Sequence, residues 1–286
     1  MFTDASPKTF PSVTPMPAVD LNRLKHQIDG LIWRFTRPAE FVQELHDIFS
    51  FYADRVYRPG ELVQKKSSIQ AYHVHSLVMR QLEIDLHQRC IENPGAALSL
   101  IDTLWQESML EPRILAAALL GKLPLNYQQD ISNRLISWSG QTTDENLLRI
   151  LLEKGTIRLR QENSEDWIQI LKEWGASEGK GAQRAMLYAI LSLLQNPDYE
   201  NLPPLFDMTA IAIKSHPQAL QRELIEVTTL LKERSPSECT YFIRQIIRLG
   251  VSEATARLLR KIIALFDEPV RSSLLAEWRT SSEQPQ

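Results

Sequence analysis

Ser252-Glu253-Ala254-Thr255-Ala256-Arg257-Leu258-Leu259-Arg260-Lys261-Ile262-Ile263-Ala264-Leu265-Phe266 sets apolar side chains at Ala254, Leu258, Leu259, Ile262, Ile263 and Phe266. Steps of three and four residues return to one face of a 3.6-residue helix, so the stretch predicts an amphipathic α-helix with one buried face. Upstream, Ser235-Pro236-Ser237-Glu238 has the capping-box order. A hydroxyl is placed for an orphan amide, proline is pre-set for the first turn, and a carboxylate follows three residues on. A helix is expected from there to about Gly250. Similar punctuation recurs at Asn93-Pro94, at Thr142-Thr143-Asp144-Glu145, where Thr142 reads as the cap, and at Asn163-Ser164, with stops at Gly155 and Gly250.

These signals divide the chain into roughly a dozen or more helices with short connections. Antiparallel neighbours of this length form hairpins of about 40 residues, the spacing of HEAT and armadillo repeats. The expected fold is therefore all-α, a HEAT-like α-α superhelix: a solenoid of antiparallel helical hairpins. No strict repeat is visible, which keeps an irregular helical bundle as the alternative. Degenerate repeats need only neighbour contacts to bury their faces.

Composition agrees. At 286 residues with 43% hydrophobic content, the chain can fill a continuous core. With only 10 glycines, and with Leu, Ile, Ala, Glu, Gln and Arg abundant, it favours helix over the turn-dense β classes. Pro7, Pro11, Pro15 and Pro17 mark residues 1–19 as a disordered arm. Residues 20–279 are expected to form one domain and 280–286 a flexible tail. Cys90 and Cys239 are far apart, each in a helical run, which argues against a disulfide framework and for a reducing compartment. The N-terminus carries Lys8 and prolines where a signal peptide needs an apolar stretch, and no later run is apolar for long enough to span a bilayer. A cytoplasmic, monomeric protein is the expectation. The net charge of −3 opposes strong non-specific attraction to nucleic acid but leaves room for a local basic face.

Three stretches then occur in a familiar order. Tyr72-His73-Val74 precedes a helix expected over His75 to Leu86. Leu104-Trp105-Gln106-Glu107-Ser108 and Glu111-Pro112-Arg113-Ile114-Leu115-Ala116 follow, and later come Trp174 and Gln183-Arg184-Ala185. This order resembles the HEAT-like DNA alkylation repair proteins, the alkylpurine DNA glycosylase family, over roughly residues 70 to 270. The resemblance implies a curved solenoid whose concave basic face holds duplex DNA, with alkylated purines excised by the help of an aspartate and flanking aromatics. It casts Asp144 as the electrostatic carboxylate, Trp138 as an aromatic wall and Arg184 as a phosphate clamp. The family's Trp-x-x-x-Asp spacing is lengthened here by two residues between Trp138 and Asp144, and its later tryptophan falls at about Thr229.

Each candidate has a structural reading beside the functional one. Asp144 suits stabilisation of an oxocarbenium-like sugar, and equally a first-turn acid with Glu145 facing the helix macrodipole. Trp138 shares an apolar face with Leu135. Trp105 follows Leu98, Ile101 and Leu104 at helical spacing, and Trp167 and Trp174 lie seven apart along one helix; packing accounts for all of them. Arg184 opens the apolar run Ala185 to Leu194 and must reach a phosphate, a carboxylate or water. Arg113 is expected to pair with Glu111 or a neighbouring repeat. Arg244 and Arg248, four apart, and Arg257 and Lys261, also four apart, with Arg260 adjacent, would merge into one phosphate-facing patch or form a solvated outer face near Glu238 and Glu253.

His73 and His75 lack partners at zinc-site spacing, so no metal is expected. The sequence has no glycine-rich phosphate loop or nucleophile elbow, and any base excision would need no organic cofactor. The expected function, by resemblance, is duplex DNA binding with excision or recognition of alkylated purines; the alternative is a non-catalytic scaffold presenting its concave face to a protein ligand. No membrane partner is expected in either.

Overall fold

The first helix shows how local chemistry sets the boundaries. Asp20 accepts hydrogen bonds from the amides of Asn22 and Arg23, 3.0 and 3.2 Å long, and α1 (Leu21–Ile32) begins there with Leu24, Ile28 and Leu31 buried. The structure is a computed structural model that describes residues 20–54, 69–162, 164–249 and 252–282. The expected arm at 1–19, the stop at Gly250 and the signal at Asn163 lie outside the described residues.

After α1 come α2 (Pro38–Tyr52), α3 (Ser76–Glu92), α4 (Pro94–Gln106), α5 (Leu110–Leu120) and a 3-10 turn at Leu125–Tyr127. Then follow α6 (Gln128–Gln141), α7 (Glu145–Gly155), α8 (Ile157–Glu162), α9 (Ser164–Ala176) and α10 (Lys180–Leu194). The chain continues through α11 (Pro203–Ser215), α12 (Gln221–Arg234), α13 (Pro236–Arg248), α14 (Glu253–Ile263) and α15 (Val270–Ser282). Among the described residues the β-type pairing is an isolated bridge between Ala53 and Val74.

Most of the punctuation read from the sequence is used. Asn93 caps α4 through the Ala96 amide, with Pro94 in the first turn, and Ser252 caps α14 through the Thr255 amide. Three details differ. Pro236 opens α13 as expected, yet the Ser235 side chain makes no capping bond, so that start rests on the proline and on Glu238 in the first turn. The cap of α7 is Asp144 rather than Thr142: its carboxylate accepts the Leu147 amide at 2.9 Å, a charged acceptor at the positive helix end. And α15 runs to Ser282, three residues beyond the domain end expected at 279, while residues 283–286 lie outside the described set.

Packing follows chain order. One row of helices runs α1, α3, α5, α7, α10, α12, α14, each against the next; α9, α11, α13 and α15 form a second row, and α2 packs on α4. Successive helices bridge the rows, as in α4 on α5, α9 on α10 and α12 on α13. This neighbour-to-neighbour pattern is that of a helical repeat, and the fold is all-α. The core is continuous because each helix gives a stripe: in α14, Leu258, Leu259, Ile262 and Ile263 are all buried, with Phe266 just beyond. Each such side chain contributes about 1.5–3 kcal/mol on leaving water. The pairing of α6 with α10 depends on two glycines. A Cβ on Gly181 would lie 2.8 Å from the Ile136 carbonyl oxygen and 3.1 Å from the Gly140 Cα, so the two backbones approach closely only because neither residue carries a side chain. No helix among the described residues is long and apolar enough to cross a membrane.

Candidate functional site

Glu111 anchors the region the sequence singled out. It opens α5 from a buried position, and its carboxylate accepts the amides of Tyr72 at 3.0 Å and His73 at 2.7 Å. His73 holds a left-handed backbone (φ 56°), a conformation that costs a side-chain-bearing residue energy and is held here by those bonds. Tyr72 in turn hydrogen-bonds His46 Nδ1 at 2.7 Å through its hydroxyl, and His46 Nε2 meets Glu107 Oε2 at 3.0 Å. Arg113, expected to pair with Glu111 or a neighbouring repeat, donates from Nε to the Glu107 carbonyl at 2.5 Å, while the Glu111 carboxylate is turned toward the 72–73 amides. The helix expected from His75 begins at Ser76 and continues to Glu92, six residues beyond the Leu86 expected, with His75 as its cap. Tyr72 and Glu111 therefore fasten the segment before α3 between α2 and α5, and Arg113 ties α5 to the end of α4.

The aromatics behave likewise. Trp105 on α4 and Trp138 on α6 stack with ring centroids 4.2 Å apart, and are 5% and 6% exposed. Trp138, expected as the aromatic wall, has its ring stacked on Trp105 and is not among the residues that line the cleft beside Asp144. Trp167 and Trp174 meet edge to face at 5.6 Å, both buried on α9. Asp144 caps α7 and is 7% exposed, at the edge of a cleft of about 200 Å³ lined also by Ile69, Trp105, Gln106, Arg113 and Thr143. The cleft brings one expected catalytic residue, Asp144, beside Trp105 and leaves Trp138 behind the latter.

Arg184 is taken up by the fold. Its Nε pairs with Glu223 at 2.7 Å and its Nη1 donates to the Thr142 carbonyl at 2.7 Å, with side chains only 14% and 6% exposed for the ion pair. Of its two readings, the ion pair is the one the geometry supports; the phosphate clamp would need a guanidinium that points outward. Neighbouring pairs extend the pattern. Arg149 on α7 binds Glu226 on α12, Arg222 on α12 binds Glu145 on α7, and Arg134 on α6 grips Asp102 on α4 with two bonds of 2.7 Å. Tyr188 lies beneath Arg149 and Arg184, whose guanidinium carbons stand 5.7 and 6.0 Å from its ring centre. Sequence reading missed Arg149, Arg222, Glu223 and Glu226, and no local signal could find them, because their partners are 39 and 77 residues away along the chain.

The basic residues of the last helices do not merge into one patch. Arg244 and Arg248 on α13 converge on Glu277 of α15 at 3.3 and 2.7 Å. Arg260 lies over the Trp278 ring at 5.7 Å. Lys261 turns the other way, to Gln221 on α12 at 3.1 Å, and Arg257 stands 3.8 Å from Glu253 on its own helix. Of the two readings, one merged patch or a solvated outer face, the first is divided here because α14 sends Arg260 toward α15 and Lys261 toward α12.

Among the described residues no group of three or more His, Cys, Asp or Glu side chains is placed to hold a metal ion. Burial pushes the thiols of Cys90 and Cys239 up to about 12. No family model, curated protein or solved structure matches this chain.

Proposed function

We propose that this chain is a non-catalytic helical-repeat scaffold that presents its surface to a protein partner. The observation that carries the reading is the neutralisation of six arginines by carboxylates of neighbouring helices. Arg134, Arg149, Arg184 and Arg222 each meet a carboxylate of another helix, and Arg244 and Arg248 share Glu277. A surface whose cations are already paired releases few counterions from a phosphate backbone, so duplex DNA gains little on it. The residues that carry the family resemblance, Tyr72, Trp105, Glu111 and Arg184, have structural work to do, which favours shared architecture over shared chemistry.

A second reading keeps DNA binding with recognition or excision of alkylated purines. The cleft beside Asp144, Trp105 and Arg113 favours it, as do the exposed cations Arg257 and Lys261. Fluorescence anisotropy with labelled duplex, undamaged and carrying an abasic analogue, separates the two across a salt series. The scaffold reading expects no salt-sensitive binding and no base release from methylated DNA. Salt-sensitive binding lost on charge reversal of Arg257 and Lys261, with base release lost in Asp144→Asn, would replace it by the repair reading.

A further inference from the structure

Between α7, α8 and α10 lies a cleft of about 430 Å³ that shares no lining residue with the one beside Asp144. Arg160 of α8 lines it. Its Nη2 donates to the Glu153 carbonyl at 2.7 Å and its Nη1 to the Ser192 hydroxyl at 3.3 Å, while its Nε is buried without a hydrogen-bond partner. Unlike the arginines of the neighbouring helices, Arg160 has no carboxylate within ion-pair distance among the described residues. Burial holds its pKa below the ordinary value, opposed by the charge of Glu153. A half-buried cation left uncompensated is costly, and an anion arriving from the cleft would relieve that cost.

Most of the remaining wall suits such a ligand. Arg149 adds a second guanidinium, already paired with Glu226, and Ser192, Gln195 and Asn196 add neutral polar groups, while Glu153 is the one carboxylate among the lining residues. Tyr188 keeps its proton at physiological pH, burial and the nearby Glu223 having pushed it up to about 12, so it serves as a donor. Its ring and Leu191 give the apolar part of the lining. The loop that carries Asn196 is fixed in advance. Arg234 donates to the carbonyls of Leu194 and Asn196 at 2.9 and 2.8 Å and to those of Pro197 and Tyr199 at 3.2 and 2.5 Å. Preorganisation of this kind removes part of the ordering cost of binding. The volume falls in the range of small-molecule sites, about 300–1,000 Å³, and exceeds what a bare inorganic ion fills.

We propose that this cleft binds a small organic oxyanion, a phosphate or carboxylate on a compact apolar body, with Arg160 as the principal contact. The fork of a guanidinium matches either head group, and Tyr188 and Leu191 take the body.

Isothermal titration of the full chain at low salt with phenyl phosphate, benzoate and inorganic phosphate tests it. At least one organic anion is expected to bind, more tightly than inorganic phosphate, and the stronger of the two identifies the head group. Arg160→Gln is expected to weaken it by about tenfold, the size of one charged hydrogen bond. Gln195→Glu, on an exposed residue that leaves the fold intact, puts a like charge on the rim and should weaken it by about fivefold. Arg257→Gln, on a distant helix, should leave it unchanged. Absence of heat with both organic anions, or binding that survives Gln195→Glu to within about twofold, would overturn the proposal, whether or not Arg160→Gln folds. The result is independent of whether the chain engages protein or DNA.

Discussion

The indoles of Trp105 and Trp138 lie face to face, 4.2 Å apart and inclined by 6°, although 33 residues of chain separate them. The stack joins the end of α4 to α6, and Ser139 beside it is fully buried. Offset stacking of two large apolar rings adds to what their burial alone contributes.

Trp138→Ala should therefore lower stability by about 3–5 kcal/mol, as a cavity of indole size opens against Trp105. Urea denaturation followed by far-ultraviolet circular dichroism measures this. Trp138→Phe should lose less, because an aromatic face remains. A loss for the alanine variant below about 1 kcal/mol would mean that the ring is not packed as described.

The Arg184–Glu223 pair predicts a different pattern. Arg184→Met leaves the buried Glu223 carboxylate without its cation and should cost about 3 kcal/mol. Adding Glu223→Leu removes the orphaned charge and should restore most of that loss, though the Thr142 carbonyl remains without its donor. A double-mutant cycle in urea reads the coupling. Additive losses from the two changes would show that the pair is solvated rather than buried.

Cys90 and Cys239 should resist alkylation in the native protein. Burial pushes both thiols up to about 12 from an ordinary value near 9.0, so thiolate is scarce at pH 8 and the sulfurs are shielded from reagent. Mass spectrometry after iodoacetamide should find neither labelled until denaturant is added, and then both. A folded-state pKa above the unfolded one favours the protonated, folded form. The associated stability is present below the ordinary thiol value and is lost as pH rises from about 9 toward 12.

Helix positions were legible because their causes are local. The steps from Ala254 to Phe266 define a buried face, and Asn93 and Ser252 act on amides three residues away. The same local logic failed at Thr142, where the carboxylate of Asp144 takes the cap, and at Ser235, which holds the cap position without a side-chain capping bond. At Asp144 the residue itself was found and the helix start was placed two residues early: it caps α7 and does not belong to the first turn.

The candidate site was less legible. Arg184 was identified as a cation that must find a partner, but whether that partner is phosphate or carboxylate turns on where α12 lies relative to α10. The tryptophans read as packing residues from spacing alone. That Trp105 packs on Trp138, rather than on its own helix's neighbours, follows only from the meeting of α4 and α6.

By itself the sequence determined that this protein is built of short amphipathic helices, where most of them begin, and which face of each leaves water, since periodicity and capping act within a turn or two of backbone. Tertiary structure decided which cations stay available. Charges attract across any separation in the chain once two helices pack side by side, and it was the neighbourhood of α7, α10 and α12 that gave Arg149, Arg184 and Arg222 their carboxylates and left Arg160 beside a cleft with no ion-pair partner among the described residues.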